Sequence, residues 1–159
     1  MSNPFDGAEV ISAYSRAQAI EDGVVVDVSE TAREAGIKYP VALTRAVWES
    51  CVSVPKAARC QDEAGRLWDV VWMLAVALRA GKTREGYGVE TVGGMMQLRR
   101  EPARDRILYH LLVVQDSKRC NARTGKPCPP LRRTVTLKAV CGPGDDGEPT
   151  ITVMEPDED

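Results

Sequence analysis

The chain has one histidine, one phenylalanine and no hydrophobic run of membrane-spanning length. Aromatic residues make up only 5% of it, so aliphatic side chains and alanine must fill the core. Three tryptophans and four tyrosines become the large packing units. The longest apolar run, residues 67–78, is shorter than the roughly 20 residues that a bilayer requires, and Asp69 interrupts it. The opening MSNPFDGAEV lacks the basic and hydrophobic regions of a secretory signal, which predicts a cytoplasmic protein. Five cysteines, an odd number, then read as reduced thiols rather than a disulfide framework. No His-Glu-x-x-His, Gly-x-Ser-x-Gly or Gly-x-Gly-x-x-Gly occurs. Gly-Lys-Thr at 81–83 lacks the upstream glycine and the leading strand of a phosphate loop, since Val76 stands where the glycine belongs.

What is present is one domain, 1–159, of ordinary apolar (43%) and charged (28%) content. Helical spacing predicts segments at about 8–20, 29–35, 44–52 and 62–80. Gly23 and Gly36 end the first two, while an Asp27/Glu30 capping box, with Ser29 as its rival, starts the second. Thr44 caps the third. The fourth is apolar nearly all round (Leu67, Val70, Val71, Leu74, Leu78, with Trp68 and Trp72 beside them), which predicts a buried central helix stopped by Gly81, with a Trp-lined ligand groove as the alternative. A mobile loop is expected over 81–104. Period-two runs then predict strands at about 106–115, 132–141 and 150–154, with Val135, Leu137, Ala139, Cys141, Ile151 and Val153 inward and the first strand covered on both faces. The expected fold class is α+β, a helical N-terminal half packed on a three-stranded antiparallel C-terminal sheet.

Charge is unevenly placed. Residues 1–98 carry a net −3, residues 99–141 +8 and residues 142–159 −7. The basic block comprises Arg99, Arg100, Arg104, Arg106, Lys118, Arg119, Arg123, Lys126, Arg132 and Arg133. It suits phosphates, although Tyr109 is its only aromatic, so a stacking platform is missing. The acidic end (Asp145, Asp146, Glu148, then Glu155, Asp157, Glu158 and Asp159) imitates phosphates, meets the basic block or is solvated. The glycine-rich stretch CGPGDDGEP at 141–149 reads as a hairpin turn, because its carboxylates lack the alternation of a calcium loop.

Metal and thiol chemistry find little support. Cys120 and Cys128, with Cys141, Cys51, Cys60 and His110 as further ligands, are spaced too widely for a structural zinc site. His110 reads as a packed, hydrogen-bonded strand residue, with a Cys141–His110 nucleophilic pair as the alternative. No cofactor is expected.

The stretches SRAQAIEDG, DVSETAREAGIKYPVALTRAVW, GRLWDVVWM and VTLKAVCGPGDDGEPTITVMEPDED together resemble a family of small uncharacterised proteins encoded on plasmids, integrative elements and prophages of proteobacteria. The chain departs from that pattern in residues 82–106 and around Cys120–Cys128. The resemblance implies a non-enzymatic mobile-element accessory protein that binds a host protein complex, such as a restriction or CRISPR defence assembly, and it supplies no catalytic residue. Under that reading the loop, the basic block and the acidic residues are contact surfaces. The alternative is a nucleic-acid-binding accessory protein using the block at 99–133. A membrane partner is not expected.

Overall fold

A computed structural model describes residues 14–58, 61–83, 87–92, 95–100, 106–116 and 130–158, with side chains for all of these except 81–100. Ser15 opens α1 (Arg16–Glu21) reciprocally: its hydroxyl accepts from the Gln18 N–H at 3.1 Å, and the Gln18 side chain accepts from the Ser15 N–H at 2.9 Å. Residues 8–13 of the longer expected helix lie outside the described residues. Gly23, with φ 71°, turns the chain into β1 (Val25–Asp27).

The expected Asp27/Glu30 capping box does not form. Asp27 instead accepts from both the N–H and the hydroxyl of Ser29, at 3.1 and 2.5 Å, and Val28 is the N-cap of α2 (Ser29–Glu34). Ser29 is buried and its hydroxyl accepts from the Val41 N–H at 3.1 Å, tying α2 to β2 (Val41–Thr44). Thr44 caps α3 (Arg45–Val47) as expected, but the helix then widens into a π-helical turn, Trp48–Val52.

The N-terminal half is therefore not simply helical. Its two strands join β5 (Arg106–Asp116), β6 (Leu131–Pro143) and β7 (Pro149–Met154) in a five-stranded mixed sheet, order β1-β2-β7-β6-β5. All pairs are antiparallel except β2 with β7, which is parallel, with Val41 opposite Ile151 and Leu43 opposite Val153. Three-residue and four-residue strands are too short to show a period, so their apolar runs do not identify themselves as strands.

Helix α4 (Glu63–Thr83) covers one face of this sheet. Val70, Val71, Leu74 and Ala77 join Val41, Leu43, Tyr109, Leu111, Leu137 and Val153 in one buried cluster. Trp68 and Trp72 of α4 lie at the surface rather than in the core (36% and 42% exposed). Gly81 does not stop the helix, which continues to Thr83; among the described residues a left-handed φ occurs only at Gly23, Gly36 and Gly147. The second face of β5 is likewise open in part, with Leu112 58% exposed.

The stretch expected to be loop, 81–104, contains a hairpin of β3 (Tyr87–Val92) and β4 (Met95–Arg100), with Val92 opposite Met95. The residues between them are Gly-Gly, a two-residue hairpin signature that the overall glycine content of the segment obscures.

Candidate functional site

On the exposed side of α4, Trp68 and Trp72 are one helical turn apart, and this spacing stacks them. Their ring centroids are 5.7 Å apart and the planes lie 21° from parallel. Two turns further along, the Arg79 guanidinium carbon is 5.3 Å from the Trp72 ring centroid, a cation–π contact. Arg79 Nη2 also donates to the Ala35 carbonyl at 2.6 Å. Gly36 makes room for it: a Cβ there would come within 2.9 Å of the same nitrogen, and φ is 85°. An aromatic pair and a pinned cation thus share one rigid helix face.

At the opening turn of α4, Arg66 is 4% exposed. Its Nε donates to the Cys51 carbonyl at 2.8 Å, and Nη1 donates to Gln61 Oε1 and the Val114 carbonyl, both at 2.9 Å. These bonds hold the end of the π-helical turn against β5. Burial lowers the pKa of the Arg66 guanidinium and raises that of Asp69, which the Arg66 charge partly offsets. Burial also raises the Cys51 thiol and the Tyr109 phenol. The Tyr109 hydroxyl is buried and has no partner.

The residues singled out in the sequence do not converge. His110 packs as expected, with Nδ1 2.7 Å from Thr136 Oγ1. Cys141 shares the core-facing side of β6 with Leu137 and Ala139, opposite Ile151, but is exposed. It lies five residues beyond Thr136 on β6, which places it about 17 Å from His110 and on the opposite face, so no nucleophilic pair forms. Cys60, Cys120, Cys128, Arg104, Lys118, Arg119, Arg123 and Lys126 lie outside the described residues. Among the described residues no three His, Cys, Asp or Glu side chains gather as metal ligands.

Arg99 and Arg100 belong to β4, opposite Gly88 and Tyr87. Arg106, Arg132 and Arg133 are exposed. Arg132 and Arg133 pair with Val114 and Val113 at one end of β5, while Arg106 lies at the other end, about 25 Å away. These three do not form one patch.

The turn reading of CGPGDDGEP holds. β6 and β7 pair down to Pro143 with Pro149, Gly144 N donates to the Glu148 carbonyl at 2.6 Å, and Gly147 has φ 82°. Two of its carboxylates bond within the chain. Asp145 accepts from the Arg16 and Ala17 N–H groups at 2.6 and 2.9 Å, and Glu148 accepts from the Asp146 N–H at 3.0 Å. Beyond β7, Glu158 accepts from the Thr44 hydroxyl at 2.8 Å and from the Glu155 N–H at 2.6 Å, and its carbonyl accepts from Lys138 Nζ. The acidic end is anchored rather than fully solvated.

Sequence reasoning preferred core packing for Trp68 and Trp72 over a Trp-lined groove, did not join Arg79 to them, and missed the Arg66 cluster. The face had a signal, an i, i+4 tryptophan pair, whose side of exposure periodicity leaves open. The family profile DUF6573, a family of unknown function, matches residues 1–99. The chain belongs to this family. The DUF6573 match contains Cys51, Arg66, Trp68, Trp72 and Arg79 and ends before β5, β6, β7 and the Asp145 turn. No curated protein and no solved structure matches the chain.

Proposed function

We propose that the protein acts by binding another protein, without chemistry of its own, as a mobile-element accessory factor that inhibits a host defence complex. The observation that carries the binding reading is the half-exposed Trp68–Trp72 stack with Arg79 on α4. Tryptophan and arginine dominate the energetic centres of protein interfaces, and a rigid side-chain array loses little entropy when it docks. The mobile-element assignment is supported by the resemblance of the SRAQAIEDG, GRLWDVVWM and GPGDDGEP stretches.

The test is affinity capture from a bacterial lysate carrying CRISPR and restriction systems, comparing wild type with Trp72→Ala. The expected result is recovery of a defence complex by wild type and a loss of about tenfold or more in the variant, at unchanged melting temperature. Recovery of a defence complex that is indifferent to Trp72, or of no such complex, overturns the reading.

A second reading, nucleic-acid binding, is favoured by the exposure of Arg106, Arg132 and Arg133. It predicts duplex binding that falls steeply with salt. Absence of binding at low salt removes it.

A further inference from the structure

The aromatic stack on α4 is closed at one end by a cation. Arg79 approaches Trp72 from the C-terminal side, and Trp72 lies on Trp68. Helical side chains lean toward the helix N-terminus, so the other face of the Trp68 indole overlooks the preceding turn. The positions one turn back are Ala64 and Gly65, both exposed, and α4 sets nothing larger than a methyl group there. Gly65 is not one of the glycines with a positive φ, so the backbone does not demand glycine at this position. Glycine inside a helix is destabilising relative to alanine.

One wall of the gap over Gly65 is a carboxylate. Asp62 Oδ1 accepts from the Gly65 N–H at 2.6 Å and caps the helix. A Cβ at Gly65 would stand 3.3 Å from that oxygen and 3.8 Å from Oδ2, so both oxygens border the space that the missing side chain leaves.

Charge decides the sign of what enters. Asp62 and Glu63 are exposed at the start of α4, whereas the Arg66 charge partly offsets Asp69. The positive end of the helix dipole, about half a charge, cancels only part of the two carboxylates. Arg79 lies about 20 Å further along the axis and repels a second cation from its own end. A cation is therefore drawn to Trp68. A guanidinium suits the space better than an ammonium, because it is planar, weakly hydrated and stacks on indole while donating to a carboxylate.

We propose that the gap over Gly65 receives an arginine side chain of the partner protein, its guanidinium stacked on Trp68 and donating to Asp62. The stack then runs cation, indole, indole, cation. This inference rests on the reading of the Trp68–Trp72 face as a protein interface, and it gives the partner surface there a basic character.

The test follows the indole Nε1–H resonances of Trp68 and Trp72 in the full chain, assigned with Trp68→Phe and Trp72→Phe. Acetyl-Gly-Arg-Gly amide is titrated at constant ionic strength beside its lysine and citrulline counterparts. The arginine peptide should shift Trp68 saturably and more than Trp72. It should bind at least about fivefold tighter than the lysine peptide, and the citrulline peptide should not saturate. Asp62→Asn keeps a good N-cap and removes the charge, so arginine binding should weaken about fivefold at an unchanged melting temperature. Gly65→Leu fills the gap and should weaken binding about tenfold at an unchanged circular dichroism spectrum. If Gly65→Leu fails to fold, Asp62→Asn and the citrulline arm still decide.

No saturable shift at Trp68, lysine or citrulline matching arginine, or indifference to Asp62→Asn overturns the site. Asp62→Asn in the lysate capture separates the two readings. A defence complex lost with Trp72→Ala but fully kept with Asp62→Asn removes the arginine contact alone. Arginine binding at Trp68 with no defence complex captured removes the defence reading alone.

Discussion

Cys51 and Tyr109 place two weakly acidic groups in the core, where burial holds both in their neutral forms. Each folded pKa is raised above its unfolded value, so the stability it contributes is complete below the unfolded pKa and is lost as pH rises. Urea midpoints should be level up to about pH 8 and then fall, with a second, steeper loss from about pH 10. Cys51→Ala should abolish the earlier part of that fall, and an identical pH profile in the variant would refute the assignment. The same burial predicts that iodoacetamide labels Cys141 in the native protein and spares Cys51 until urea is added, read by peptide mass mapping. Gly36→Ala imposes a side chain at φ 85° and intrudes on Arg79 Nη2. It should cost about 1–2 kcal/mol in denaturant titration. At this scale the sequence was partly readable. Gly23, Gly36 and His110 declared their roles through local chemistry, whereas Arg66 did not, because its partners Cys51 and Val114 lie 15 and 48 residues away.

Among the elements, α1 illustrates a helix whose start is specified from a distance. Ser15 and Gln18 form the local cap, and Asp145 adds a carboxylate to the first two free N–H groups from the β6–β7 turn. Asp145→Ala should cost about 1 kcal/mol, mostly as fraying of α1. Hydrogen exchange should accelerate at Arg16 and Ala17 while the amides of Val70 and Leu74 stay protected. Uniform acceleration would refute a local role. The strands of the C-terminal half were legible because their runs are long enough to show alternation. β1 and β2 were not, since three or four residues give no period, and α4 misled because a helix apolar on several sides does not say which side the sheet will cover.

Across the whole molecule, one sheet joins β1 and β2 to β5, β6 and β7. β7 lies between β2 and β6, so the buried cluster draws on residues from Val28 to Val153. Leu137→Ala, in the centre of that cluster, should lower unfolding free energy by about 2–5 kcal/mol. A fragment of residues 1–99, the segment matched by the family, should lack a cooperative melting transition, because β2 then has no neighbour on its β7 side. Cooperative melting of that fragment would show that β1, β2 and α4 form a unit without the rest.

The parallel pairing of Val41 with Ile151 also sets a clock. The two residues leave the ribosome more than a hundred positions apart, an interval of about 5–20 s at ordinary elongation rates. For that time Val41 and Leu43 await the strand that buries them, and the nascent chain carries an unfinished sheet edge. Synthesis speed across the second half of the message, rather than the intrinsic speed of collapse, then governs how long this protein is open to chaperones and to misassociation.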